Sequence, residues 1–245
     1  MIEIKNLNKQ YGNKFALKDV NLTFAPGEIV GLFGENGAGK TTLIKSVLGL
    51  IRYDGDVLLD GQLVTRANIG RLSFATCEHS FFPALNAQSH KDFYEEHFKT
   101  FKSKRFDALM EFFDLPYNKK ISALSTGQQN QFEVIMALCQ GADYIFMDEP
   151  FAGNDIFNRE DFYKVLLGIL DDNETIILST HLIEEISGFI GRAVLIHEGE
   201  IIGEKSADEL DQEGKTLMQY IKETYNYRAD RVANALSKLS EGDED

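Results

Sequence analysis

One segment of this chain has the residue types and the spacing of a phosphate-binding loop. Residues 34–41 read Gly-Glu-Asn-Gly-Ala-Gly-Lys-Thr, which is a glycine, four free positions and then Gly-Lys-Thr. An apolar run precedes the segment and a helix-like run follows it, which is the strand–loop–helix setting that the motif requires. Glycines let consecutive backbone N–H groups turn towards an anion, and the start of a helix adds partial positive charge. The alternative, a glycine-rich turn without a ligand, leaves the placement of the lysine and the threonine unexplained.

We therefore predict that this loop binds a nucleoside triphosphate. Lys40 is expected to reach the β- and γ-phosphates, and the Thr41 hydroxyl is expected to ligate Mg²⁺. The predicted contacts of the loop are Gly34, Asn36, Gly37, Ala38, Gly39, Lys40, Thr41 and Thr42.

Two adjacent carboxylates follow a second apolar run. Residues 144–147 read as a buried strand, and Asp148 and Glu149 stand at its C-terminal end. Asp148 suits the carboxylate that holds Mg²⁺ and its water shell, while Glu149 can orient or deprotonate an attacking water. An acidic turn that merely ends a strand is the alternative. The phosphate-binding loop upstream favours hydrolysis.

A third motif precedes another helical run. Residues 124–128 read Leu-Ser-Thr-Gly-Gln, so that Ser125 and the Gly127 N–H are expected at a helix N-terminus. Such a terminus is a second anion site. An ordinary serine N-cap is the alternative for this motif.

The hydrophobic pattern predicts the elements that position these motifs. Strand-like segments come first, a charged and phenylalanine-rich helical stretch follows, and strands then alternate with helices from Asp143 onward. This order predicts an α/β fold, namely a P-loop NTPase core with a parallel sheet, an N-terminal antiparallel β lobe and an inserted helical lobe. The expected divisions are an ATPase domain at 1–210 with its helical lobe at about 85–135, a C-terminal helical extension at 211–240 and an acidic disordered tail at 241–245.

Composition excludes several classes of function. The formal net charge of −14 argues against a nucleic-acid surface and against direct docking on anionic lipid. Cys77 and Cys139 fit neither a metal site nor a disulfide framework, as is usual in a reducing cytosol. The N-terminus lacks the apolar core of a signal peptide, and no run reaches about 18 apolar residues. We expect a soluble intracellular protein.

Together these motifs resemble those of the ATP-binding subunits of ATP-binding cassette (ABC) transporters. The family's signature is usually Leu-Ser-Gly-Gly-Gln, from which this chain differs only by Thr126. In that family two subunits pair head to tail, and the signature of one closes over the ATP bound by the other. The resemblance therefore implies that Ser125, Gly127 and Gln128 contact nucleotide held by a second copy of the chain or by a homologous ATPase subunit.

The resemblance covers nearly the whole chain and assigns further residues. Tyr11 matches the aromatic residue that stacks on adenine, Asp155 the carboxylate at the dimer contact, and His181 the histidine that contacts the γ-phosphate. The remaining histidines match nothing and are expected on the surface or in packing: His79, His90, His97 and His197.

Three positions depart from the family pattern. Cys77 stands where the family commonly has a glutamine that ligates Mg²⁺, and a thiol is a poor ligand for that ion. Either Glu78 substitutes after a one-residue shift, or coupling to the membrane partner uses other contacts. Asn154 replaces an apolar residue beside the dimer contact, and Asn130-Gln131 replace a basic residue after the signature.

The resemblance implies a cytoplasmic ATPase subunit, using ATP and Mg²⁺, that lies on the inner face of the membrane through a separate polytopic membrane subunit. The segment Phe82–Leu85 is more similar to exporters than to importers. Two alternatives remain open. A soluble ABC protein acting on ribosomes or DNA usually has two cassettes or a long insertion, and a GTPase would need an aspartate at Ile121, after Asn118-Lys119-Lys120.

Overall fold

Two β-sheets form the framework of the computed structural model, which describes residues 1–150, 156–181 and 183–225. The strands are β1 (Ile2–Tyr11), β2 (Lys14–Phe24), β3 (Ile29–Phe33), β4 (Asp54–Leu59), β5 (Gln62–Leu63), β6 (Leu72–Thr76), β7 (Tyr144–Asp148), β8 (Thr175–Ser179), β9 (Arg192–His197) and β10 (Glu200–Ser206). The helices are α1 (Lys40–Val47), α2 (Ala87–His97), α3 (Ser103–Phe112), α4 (Thr126–Cys139), α5 (Ile156–Ile169), α6 (Ile183–Ile186), α7 (Ala207–Gln212) and α8 (Leu217–Thr224).

The larger sheet has six strands in the order β10-β9-β3-β8-β7-β6. Its pairs from β9 to β6 are parallel, and only β10 runs antiparallel to its neighbour. All five residues of β7 and of β8 are buried, as expected for strands covered on both faces. The predicted parallel sheet is confirmed.

The smaller sheet is antiparallel, with the order β2-β1-β4-β5, which confirms the predicted N-terminal β lobe. The sequence pattern predicts short strands here, but β1 and β2 have 10 and 11 residues. Their pairing continues through shifts of register that interrupt the alternation of apolar residues. Asn6 and Asp19 adopt positive φ within these irregular segments, and Asn and Asp tolerate that conformation better than most residues.

The six-stranded sheet carries a hydrophobic core on each face. Met147 packs in the cluster that also contains residues of the helical lobe, whereas its neighbour Phe146 packs in the cluster shared with the antiparallel sheet. This division follows from the alternation of side chains along a strand. Phe106 and Met110 on α3 are buried in the first cluster, so that this part of the phenylalanine-rich stretch belongs to the core.

Helices α2, α3 and α4 are inserted between β6 and β7 and form the helical lobe. After β10 the chain continues into α7 and α8, and the Tyr225 hydroxyl donates to the Ile196 carbonyl at 2.8 Å. The division of the chain at residue 210 stays a prediction, and the second half of the predicted extension and all of the acidic tail lie outside the described residues. Within the described ranges, no helix is long and apolar enough to cross a bilayer.

Candidate nucleotide-binding and hydrolysis site

The glycine loop between β3 and α1 is confined by neighbouring backbone. A Cβ atom at Gly34 would lie 2.5 Å from the Ile196 carbonyl oxygen. At Gly39 it would lie 2.7 Å from the Ala16 carbonyl oxygen, and the φ of Gly39 is +117°. A side chain fits at neither position, and the loop therefore needs glycine to pass between β9 and β2.

Lys40, the first residue of α1, is buried inside this loop. Its ammonium donates to the carbonyl oxygen of Gly34 at 2.7 Å and to that of Glu35 at 3.2 Å. The charged end of the side chain is thus held at the helix N-terminus, where an anion is stabilised by the helix dipole.

Oxygen ligands suitable for Mg²⁺ meet where α1 approaches the ends of two strands. The Thr41 hydroxyl donates to Asp148 Oδ2 at 2.5 Å, and the Ser179 hydroxyl donates to the other oxygen of the same carboxylate. Asp148 and Ser179 are paired at the last positions of the adjacent parallel strands β7 and β8. Mg²⁺ prefers oxygen and commonly takes one or two carboxylates together with substrate phosphates. The donor set fits this ion, and the part of the chain that is described holds no group of three or more His, Cys, Asp or Glu suited to a metal.

Glu149 and His181 lie at the same edge of the sheet. Glu149 Oε2 and His181 Nδ1 are 3.0 Å apart, and the Glu149 N–H donates to the Ser179 carbonyl at 3.0 Å. The φ of Glu149 is +48°, an uncommon conformation for this residue type and one that is frequent at functional sites. The structure thus brings together the carboxylate and the histidine that the sequence motifs separate by 32 positions.

Ser125 is the N-cap of α4. Its hydroxyl accepts from the Gln128 N–H at 3.3 Å, and the Gln128 side chain accepts from the Ser125 N–H at 3.1 Å. The structure therefore contains the serine N-cap that was the alternative interpretation of this motif. Within one chain, Ser125 and Gln128 bond to each other rather than to the glycine loop, while Gly127 stands in the first turn.

The site region also contains residues that the motifs do not indicate. A cavity of about 390 Å³ beside the glycine loop is lined by Asn36 and Gly37, and also by Phe15 and His197. The sequence could have indicated Phe15 only through its position just after the turn that follows Tyr11. His197 carries no such signal, because only the pairing of β9 with β3 places it there. Tyr11 is exposed, with the Lys9 ammonium 4.7 Å from its ring centroid.

The structure also describes Cys77, Glu78 and His90, three further positions considered in the sequence. Cys77 is exposed after β6, and Glu78 forms an ion pair with Lys45 on α1 at 2.7 Å. His90 is buried and accepts from the Phe82 N–H at 3.0 Å, as a packing histidine would. Burial lowers the pKa of His90. Asp155 and Asn154 lie outside the described residues.

A glycine loop between a central parallel strand and a helix, with a carboxylate on the next strand but one, defines a P-loop nucleoside triphosphatase. Comparison with known proteins gives the family. The ABC transporter family model matches residues 17–152, which is more than half of the chain. A probable ABC transporter ATP-binding protein of Azorhizobium caulinodans is 32% identical over 216 residues, covering 83% of this chain and 76% of that protein. The chain therefore belongs to the ABC transporter family, and it is an ATP-binding, ATP-hydrolysing subunit of that family.

Two further similarities extend over most of the chain. The lipopolysaccharide export system ATP-binding protein LptB of Haemophilus influenzae is 28% identical over 238 residues, covering 92% of this chain and 98% of that protein. A solved dimeric ATP-binding cassette in a post-hydrolysis state, bound to ADP and Pi, superimposes with a TM-score of 0.74 at 24% identity. That match covers 84% of this chain and 98% of the solved chain, and it supports the predicted fold.

Proposed function

We propose that two copies of this chain, or one copy and a homologous subunit, enclose Mg²⁺–ATP between them and that hydrolysis drives a separate membrane subunit. The observation that carries the proposal is the meeting of Thr41, Asp148, Glu149 and His181 beside the glycine loop. A site that only bound nucleotide would not need a carboxylate placed to activate water.

In this proposal, each residue of the site has one task. Lys40 leaves the loop carbonyls and binds the β- and γ-phosphates, and Thr41 and Asp148 hold Mg²⁺. When bound, Mg²⁺ would neutralise part of the charge that develops on the phosphate oxygens during the reaction. Glu149 accepts a proton from the attacking water. His181 Nδ1 must carry its hydrogen to donate to the Glu149 carboxylate, and this contact orients the imidazole beside the reacting phosphate.

The remaining parts of the site come from the twin chain. The capped N-terminus of α4 presents backbone N–H groups and the exposed Ser125, which together suit a phosphate. Gly127 and Gln128 extend this surface, and Asp155 is proposed at the dimer contact. Adenine is proposed to stack on Tyr11, which is exposed, or on Phe15, which is exposed and lines the cavity beside the loop.

The membrane subunit is proposed to dock on the aromatic patch, defined as Phe82, Leu85 and Phe93. Phe82 is 50% exposed, and Leu85 and Phe93 are each 37% exposed. The rings of Phe82 and Phe93 are 5.7 Å apart, so that the patch is continuous between α2 and the loop after β6. Exposed apolar patches of this kind mark interaction sites, and the occupant proposed here is a short amphipathic segment of the membrane subunit.

Export is the proposed direction of transport, and the inner face of the membrane is the proposed location. The support for export is the name of the LptB relative and the similarity of Phe82–Leu85 to exporter subunits. A peripheral location is supported by the aromatic patch, which offers a docking surface. No described helix is long and apolar enough to cross a bilayer.

Phosphate release by the Glu149→Gln variant tests the hydrolytic assignment. The variant should bind ATP at least as tightly as wild type and release phosphate at least about 10²-fold more slowly, because the amide cannot accept the proton from water. Asp172→Asn is a matched control that removes a carboxylate from an exposed turn of the chain. Undiminished phosphate release by Glu149→Gln would show that Glu149 is not the base.

A further inference from the structure

A buried carboxylate on α4 binds the loop that follows β6. Glu133 is only 2% exposed. Both of its oxygens accept from the Ser80 N–H at 3.0 Å, and one of them accepts from the Ser80 hydroxyl at 2.5 Å. Burial raises the pKa of Glu133, and these donors act in the opposite direction. All the partners named are donors, which suits a carboxylate and no neutral amide.

The segment held in this way, residues 77–83, will be called the β6 loop. Glu78 at its start pairs with Lys45 of α1, the helix that begins with Lys40. Phe82 near its end donates its N–H to His90 Nε2 on α2. The β6 loop is therefore attached to α1 at one end, to α2 at the other, and to α4 through Glu133 between them.

The N-terminus of α4 carries Ser125. Glu133 lies about two turns along the same helix from this N-cap. A helix of this length moves as a rigid rod, and α4 is buried along most of its length. An anchor at Glu133 therefore limits the orientations that Ser125 can adopt relative to the β6 loop and to α1.

We propose that Glu133 is a positioning residue for ATP hydrolysis, which locks α4 to the β6 loop so that Ser125 and the glycine loop keep a fixed relation when two chains close on ATP. It acts through Ser80 and the β6 loop rather than on the nucleotide. The inference rests on the proposed function, since it assumes that Ser125 completes the site of a twin chain. It also gives a role to a loop that lacks the glutamine usual in the family.

Steady-state ATP hydrolysis by Glu133→Gln tests this proposal. The substitution keeps the size of the side chain but turns an NH₂ donor towards N–H and O–H donors. We expect kcat to fall by roughly one to two orders of magnitude, because small misplacements of a catalytic group have effects of that size. The KM for ATP should stay within about twofold of wild type, since the glycine loop is untouched. Glu133→Asp, which retains an acceptor-only group, should recover part of kcat.

Three further variants allow the result for Glu133→Gln to be interpreted. Gln131→Ala, on the same helix, is the matched control and should retain wild-type kcat. If Glu133→Gln does not fold, Ser80→Ala, which removes only the hydroxyl donor, should still lower kcat at unchanged KM. A folded Glu133→Gln with wild-type kcat, or one whose KM rises while kcat is kept, would overturn the proposal. Glu149→Gln in the same assay separates the two claims, because retained turnover there would refute the hydrolytic site itself.

Discussion

The Thr41 hydroxyl and Asp148 Oδ2 lie 2.5 Å apart, joining the first turn of α1 to the end of β7. These residues are 107 positions apart in the chain. Their meeting brings together a hydroxyl and a carboxylate, two oxygen groups that would hold Mg²⁺. The Ser179 hydroxyl donates to the same carboxylate and holds its second oxygen.

The Mg²⁺ requirement should depend on the Thr41 hydroxyl. In Thr41→Ala the concentration of Mg²⁺ needed for half-maximal hydrolysis should rise by about 10- to 100-fold, because one oxygen ligand is lost. Thr41→Ser keeps the hydroxyl and should behave like wild type. Mg²⁺ titrations of ATP hydrolysis, starting from protein treated with chelator, measure the effect. Identical titration curves for Thr41→Ala and wild type would contradict the assigned ligand.

Ser125 should have two separable roles, as a helix cap and as a contact to phosphate. Ser125→Asp keeps a good N-cap, so that its free energy of unfolding should stay within about 0.5 kcal/mol of wild type. Its negative charge would face the γ-phosphate bound by the twin chain, and ATP hydrolysis should be lost. Ser125→Ala should instead lose about 1 kcal/mol of stability. Chemical unfolding and phosphate release distinguish these effects, and full activity in Ser125→Asp would leave capping as the only role.

The aromatic patch should matter to the membrane subunit and not to the basal reaction. Phe82→Asp should retain the basal ATP hydrolysis of the isolated chain but fail to co-purify with the membrane subunit when both are expressed together. A charge buried at the proposed interface would cost several kcal/mol. Leu63→Asp, at a comparably exposed leucine in the antiparallel sheet, is the control and should still co-purify. Equal recovery of the membrane subunit with both variants would exclude the patch as its docking site.

Stability at mildly acidic pH should depend on His90. Its Nδ1 donates to the Asn86 carbonyl and its Nε2 accepts from Phe82, an arrangement that requires the neutral ring. Burial lowers the pKa of His90, so that the unfolded chain takes up the proton at higher pH than the folded chain does. The contribution is thus fully present above about pH 6.5 and is lost as the pH falls through the folded value, by about 1.4 kcal/mol for each unit of difference in pKa.

His90→Gln removes this titration while keeping one donor and one acceptor. Urea unfolding at neutral pH and near pH 5 should show a smaller loss of stability for the variant than for wild type. His79, whose pKa burial also lowers, is present in both proteins and does not contribute to the difference. Parallel losses in the two proteins would show that His90 is not the titrating group.

The sequence predicts the fold well where its pattern is local. The glycine loop, the helix that begins at Lys40 and the acidic end of β7 follow from short-range spacing, and the structure has all three. The lengths of β1 and β2 are not predictable from alternation, because pairing continues through shifts of register. The roles of His197 and Glu133 could not be predicted from the sequence, for a related reason. Their roles depend on which strand and which loop lie beside them, and only the tertiary structure fixes those neighbours.

The mass of Glu149→Gln in the presence of saturating Mg²⁺ and ATP tests the central claim most directly. Light scattering should give twice the 27.6 kDa mass of the chain, because the uncleaved γ-phosphate keeps the two signatures closed over the two glycine loops. Adding Ser125→Asp to this variant should restore the monomer. A Glu149→Gln protein that binds ATP but stays monomeric, even with its membrane subunit present, would contradict the account.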